Sequence, residues 1–91
     1  MKVLSPRYSK EEFARRGDEI YERHIRPHVT QSDEGKFVVI DIETGDYEID
    51  VDEVTAHDRL LSRHPTAQVW VTQVGSRYAR RFGPRYRPVT A

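Results

Sequence analysis

Two carboxylates, Asp41 and Glu43, stand two residues apart in the run Val39-Ile40-Asp41-Ile42-Glu43-Thr44-Gly45. On an extended strand that spacing puts both side chains on one face. A carboxylate pair so placed can hold divalent metal ions for phosphodiester hydrolysis. More acids follow at Asp46, Glu48, Asp50, Asp52 and Glu53. A calcium loop, however, needs ligands that converge around a central glycine between two helices. These acids lie along a strand-turn-strand pattern and should splay apart, so no metal site is expected. His24 and His28 are separated by Pro27, which ends a helix between them, and His57 and His64 lie about two turns apart. They read as surface or partly buried, hydrogen-bonded imidazoles rather than as a dyad or a ligand set. No serine sits in a G-x-S-x-G context, and five scattered glycines form no phosphate loop. Cysteine is absent, which removes thiol catalysis, disulfides and thiolate-bound zinc. The expectation is a chain with no catalytic residue, no metal and no cofactor: not an enzyme.

The D-x-E-T segment resembles the strand that opens the DEDD family of 3′–5′ exonucleases. That resemblance implies metal binding by Asp41 and Glu43. It covers seven residues and then fails, because the family needs two further aspartates on later elements and here no acid follows Asp58. The other reading is a strand that leaves its core and runs into an acidic turn.

A second chemical signal lies near the C-terminus, in Arg77-Tyr78-Ala79-Arg80-Arg81-Phe82-Gly83-Pro84-Arg85-Tyr86-Arg87. Arginines interleaved with aromatics can contact phosphates while stacking on bases. The same residue types dominate protein interface hot spots. A third reading is an edge strand protected by charge and followed by a loose end. The chain is formally neutral, with 15 basic and 15 acidic residues, which argues against a polyanion binder held by bulk charge alone. Neutrality conceals segregation: residues 1–30 balance at +2, residues 31–60 at −8 and residues 61–91 at +6. The basic end can meet the acidic strands of its own chain or of another copy, or each patch can face its own partner. Twelve arginines against three lysines suit bidentate contacts, although a GC-rich genome gives the same bias.

The elements that must carry these residues follow from periodicity. Ser9 and Glu12 have capping-box spacing and open a helix over 9–26. Its apolar stripe is Phe13, Gly17, Ile20, Tyr21, His24 and Ile25, and Pro27 stops it. Gly17 on that stripe marks a close approach of helix to sheet. After a polar linker over 27–35, Lys36 to Ile42 reads as a buried strand. Thr44-Gly45-Asp46 supplies a turn, and Tyr47, Ile49 and Val51 alternate with Asp46, Glu48 and Asp50 to give a second strand with a solvated acidic face. A second helix spans 52–63, capped by Asp50 or Asp52 and anchored by Val54, Leu60 and Leu61. A third strand over 68–74 and a basic fourth over 77–82 complete the core, and Gly83-Pro84 breaks the chain. The fold class is therefore α+β, ordered α-β-β-α-β-β, with a small, mainly antiparallel sheet in spatial order 2-1-3-4. One domain over 1–83 and a flexible basic tail over 84–91 are expected. The first strand is apolar on both faces, so either the first helix covers the second face or another chain does.

The whole pattern resembles a group of small, uncharacterised bacterial proteins, common in cyanobacteria. The likeness rests on Gly17-Asp18-Glu19-Ile20-Tyr21-Glu22, on Gly35-Lys36-Phe37-Val38-Val39-Ile40-Asp41 with Thr44-Gly45-Asp46-Tyr47, and on a strand ending at Val74-Gly75. It implies no established activity; such proteins sit in paired operons as antitoxin-like or accessory factors. No secretory h-region and no apolar run of membrane-spanning length is present, which points to a soluble cytoplasmic protein. The functional expectation is an interaction protein that binds a protein partner, with Trp70 if exposed, Arg77, Tyr78, Arg80, Arg81, Arg85, Tyr86 and Arg87 as contacts and Asp46, Glu48 and Asp50 as an acidic patch. A nucleic-acid module using 77–87 is the alternative, and a homo-oligomer is compatible with either.

Overall fold

The first helix begins where the sequence says it should. In a computed structural model of the chain, the Ser9 hydroxyl accepts the Glu12 N–H at 3.2 Å and starts α1, Lys10–Ile20. Glu12 does not return the bond; its carboxylate is taken by Arg15 at 2.5 Å and Arg16 at 2.9 Å. Residues 7–75 are described throughout, together with the backbone of three outlying strands named below. After Ile20 the helix widens into one π turn, Tyr21–Ile25, closed by the Arg26 N–H on the Tyr21 carbonyl. Tyr21 and Ile25 both lie in the core while His24 is exposed, which differs from the stripe expected. Pro27 then sits in a single 3₁₀ turn, Arg26–His28.

The chain is α+β. Among residues described through their side chains it has two helices and a three-stranded antiparallel sheet. The strands are β2, Phe37–Asp41, β3, Tyr47–Asp50, and β4, Val69–Gln73, with α2, Glu53–Arg63, between the last two. Strand β2 is central, pairing Ile40 with Tyr47 on one side and with Trp70 on the other. Beyond β4 the backbone of β5, Arg80–Arg85, continues the sheet, with Trp70 opposite Pro84 and a bulge between Val71 and Thr72.

The exact arrangement departs from the expected α-β-β-α-β-β. Two short strands are added, β1, Lys2–Val3, and β6, Pro88–Val89, which pair antiparallel as a separate ribbon. The fourth strand runs through Gly83 and Pro84 instead of stopping there. Proline is tolerated because β5 lies at the sheet edge, where a missing N–H need not break a ladder. The boundary drawn between a domain over 1–83 and a tail over 84–91 therefore falls inside a strand.

The two-faced strand β2 is covered by both helices. Phe13, Tyr21 and Ile25 of α1 and its π turn pack on Val38, Ile40, Ile42, Trp70 and Val74. Ala56 and Leu60 of α2 pack on Val39, Val69 and Val71 from the other side. This settles the open question of the second face: it is the chain's own first helix that closes it. Each fully buried aliphatic or aromatic side chain in these layers contributes roughly 1.5–3 kcal/mol. Gly17 is where α1 comes closest to the sheet. A Cβ built there would meet Cδ1, Cγ and Nε1 of Trp70, the last at 2.7 Å. Val54, expected as an anchor of α2, is 55% exposed, and Val51, expected on the second strand, lies beyond it and is 73% exposed.

Candidate functional site

The turn at Asp41 is built from inside. Asp41 is 2% exposed, and one carboxylate oxygen accepts the Gln68 N–H at 3.2 Å and the Glu43 N–H at 3.1 Å. The other accepts the Thr44 hydroxyl at 2.9 Å, while the Gly45 N–H closes the turn on the Asp41 carbonyl at 2.8 Å. Gly45 takes a φ of +83°, which only glycine adopts without strain. Glu43, which shared a strand face with Asp41 in the sequence reading, leaves the sheet and stays exposed. There it binds the Arg7 guanidinium and accepts the Tyr8 hydroxyl at 3.0 Å. The Arg7 bond holds the Glu43 carboxyl below its ordinary range, opposed by burial and helped by Tyr8. Asp41 thus spends its oxygens on its own turn and Glu43 on the N-terminal segment, and the pair does not converge. Among the described residues no group of three or more acids or histidines could hold a metal ion.

The acidic strand is also occupied, by a helix the sequence reading did not assign to it. Along β3, Asp46, Glu48 and Asp50 advance by about 6.6–6.8 Å per pair of residues. Along α2, Arg59 and Arg63 advance by about 6 Å. The two repeats nearly match, so two arginines bridge three carboxylates. Arg59 reaches Glu48 at 2.8 Å and Asp50 at 2.9 Å. Arg63 reaches Asp46 at 2.9 Å and binds Glu48 as well, and His64 Nε2 lies 2.9 Å from Asp46. The expected solvated acidic face is therefore a ladder neutralised from within. Arginines one turn apart on a helix that follows an alternating acidic strand were the signal available in the sequence.

These contacts fix a pH dependence. Burial pulls the Asp46 carboxyl up, but Arg63, His64 and the Tyr47 N–H together hold it below its ordinary range. The Asp52 N–H, against burial and with Arg59, does the same for Asp50. A carboxyl depressed in the folded state contributes stability above its unfolded pKa and loses it as pH falls through the folded pKa. Thermal unfolding followed against pH should be level from about pH 7 to 5 and fall steadily below about pH 4. A midpoint that stays level to pH 3 would mean the ladder adds nothing.

The other assigned residues divide by burial. Trp70 is 4% exposed beneath Gly17, so the condition attached to it, exposure, is not met. Arg80, Arg81 and Arg85 lie on β5 by backbone; Arg77, Tyr78, Tyr86 and Arg87 lie outside the described residues. Among the described residues an open cleft of about 430 Å³ lies between Ile20 and His24 on one side and Ile42 to Gly45 on the other. Large apolar side chains left on the surface are Val51 and Val54. They flank Asp52, whose carboxylate caps α2 by accepting the Thr55 N–H at 3.1 Å. No described helix is long and apolar enough to cross a membrane. No known protein family, curated protein or solved structure matches this chain.

Proposed function

We propose that this chain is a cytoplasmic, non-enzymatic interaction protein that binds a protein partner, as an antitoxin-like or accessory factor does. The observation that carries the reading is the exposure of Val51 and Val54, at 73% and 55%, side by side in sequence with Asp50, Asp52 and Glu53. Exposed apolar residues with a polar rim mark a protein contact where they form a contiguous patch. The partner's complementary patch would be apolar with basic residues around it. The Arg-aromatic run 77–87 supplies a second set of contacts on this reading.

The test is an affinity pull-down with the full chain as bait, from lysate of its native host, with and without nuclease. Truncation after Gly83 is not a clean control, because it would cut β5. The control is instead Val51→Glu with Val54→Glu, whose effect on stability should stay within about 0.5 kcal/mol at such exposed positions. The expected result is one stoichiometric protein that survives nuclease and is lost with the double variant. Nucleic acid in its place, with proteins lost on nuclease treatment, would transfer the function to the 77–87 segment.

A further inference from the structure

Arg7 and Tyr8, just ahead of α1, are held in a site that reads each of their polar groups separately. One oxygen of the buried Asp41 carboxylate accepts the backbone N–H of both Glu43 and Gln68. It thereby fixes the two residues whose side chains receive Arg7. The Glu43 carboxylate takes the Arg7 guanidinium through Nε, at 3.1 Å, and through Nη2. Nη2 also donates to the Thr66 carbonyl at 3.0 Å, and the Arg7 N–H donates to Gln68 Oε1 at 2.7 Å. The Tyr8 hydroxyl donates to the same Glu43 carboxylate at 3.0 Å. Its ring meets Phe13 edge to face, with centroids 6.1 Å apart, and lies 4.6 Å below the Arg16 guanidinium. A lysine would lose the guanidinium fork and a phenylalanine the hydroxyl, so the site selects the pair Arg-Tyr.

The pair now in the site does not use all of it. The Arg7 side chain is 47% exposed and that of Glu43 31%, and ion pairs this open are readily exchanged. Glu43 also lines the cleft of about 430 Å³ whose apolar walls are Ile20 and Ile42. Arg7 and Tyr8 do not extend into that cleft, because Ser9 turns the chain into α1. We propose that this site is a receptor for an Arg-Tyr segment of another protein, with Arg7-Tyr8 as its built-in competitor. An incoming segment that keeps the same contacts and runs on into the cleft covers Ile20 and Ile42 as well. That additional contact is the differential affinity by which it displaces the chain's own pair. A second copy supplies such a segment poorly. Only Ser9 separates Tyr8 from α1, so the Arg7-Tyr8 of another copy arrives only if its own helix leaves its sheet. Arg85, which precedes another tyrosine in the sequence, is already paired in β5 opposite Val69. The inference names a contact for the partner-binding reading above and rests on that reading, but not on Val51 or Val54.

The experiment titrates the full, ¹⁵N-labelled chain with a capped hexapeptide Leu-Ser-Pro-Arg-Tyr-Ser, the sequence of residues 4–9. In the parent the site is filled from within, which lowers the apparent affinity by the fraction of chains in which it is open. Arg7→Ala should therefore bind the peptide at least about fivefold more tightly than the parent. Amide shifts should appear at Glu43, Gln68 and Gly45 and not at Val54. Adding Glu43→Gln should remove the gain, and the isomeric peptide Leu-Ser-Pro-Tyr-Arg-Ser, of equal charge, should bind far more weakly. No binding to Arg7→Ala, equal binding of the two isomers, or shifts centred away from Glu43 and Gln68 overturns the proposal. Self-association of Arg7→Ala in sedimentation velocity, reversed by Arg77→Ala, overturns it too, because the occupant is then a second copy. Should Arg7→Ala fail to fold, Arg7→Lys keeps the charge without the fork. A smaller gain in the same direction is expected there, and unchanged affinity overturns the proposal. Failure of the peptide to bind while the pull-down still captures a partner retires this site alone; binding of the peptide while the double valine variant keeps its partner retires the valine surface alone.

Discussion

Replacing Gly17 by alanine should destabilise this protein, although alanine is the better helix former by about 1 kcal/mol. The helix interior gains from the substitution, but the new methyl group would occupy the space of the Trp70 indole. Trp70 cannot swing aside cheaply. It is 4% exposed, it stands on the strand beside Ile40 and Pro84, and its neighbours in the core are Phe13, Tyr21 and Val38. Overpacking of such a site costs about 1–3 kcal/mol and more when backbone must shift. After the propensity gain, a net loss of about 2 kcal/mol is expected, a fall in the unfolding midpoint of roughly 10 °C for a domain of this size. The check is a double-mutant cycle with Trp70→Leu, which empties the space the methyl group needs. Gly17→Ala should then cost little or stabilise, giving a coupling of at least about 1 kcal/mol. Additive effects would show that α1 does not rest on the indole.

Gly17 also shows what was legible in the sequence. A glycine in the middle of an apolar helical stripe contradicts local propensity, and such a conflict signals a tertiary reason. The nature of the reason, an indole from a strand 53 positions later, is not written locally. Strands β2 and β4 were readable from their apolar runs, β3 from its alternation with acids, and the helix starts from Ser9 and from Asp50 or Asp52, of which Asp52 is the cap. The π turn was not, since a single inserted residue leaves the spacing of Tyr21 and Ile25 compatible with an ordinary helix. The acidic patch was read with the right residues and the wrong neighbour. Asp46, Glu48 and Asp50 do share a face, but their charge is answered by Arg59, the one arginine of their own charge window, and by Arg63 from the next. Pooling charge by sequence window hides a pairing made across a helix and a strand. The exposure of Val51 and Val54 was hidden because both are apolar at plausible core positions, Val51 in the alternation of the strand and Val54 in the first turn of α2.

Removing the Asp41 carboxylate is the second large effect expected, and it separates architecture from chemistry at the one segment with a catalytic look. Asp41→Ala leaves the buried Gln68 N–H, the Glu43 N–H and the Thr44 hydroxyl without their acceptor. A buried donor stranded in this way costs about 1–3 kcal/mol, and bonds to a charged acceptor are the stronger kind. Because three donors are affected and only the Gln68 N–H lacks ready access to water, a loss of about 2–4 kcal/mol is expected. Asp41→Asn keeps the shape and one acceptor oxygen but turns an amide NH₂ toward either the Thr44 hydroxyl or the backbone donors. It should fall between the parent and Asp41→Ala in a urea titration. Amide hydrogen exchange localises the effect: Gln68 and Glu43 should exchange faster in both variants, and Val71 in the middle of β4 only as global stability falls. The opposite sign would carry equal information. Carboxylates gathered for metal chemistry repel one another when no ion is bound, so neutralising one of them relieves the fold. An Asp41→Asn protein as stable as the parent or more so would mean that the carboxylate is held for a reaction, and would return the segment from Val39 to Gly45 to the exonuclease reading that its spacing first suggested.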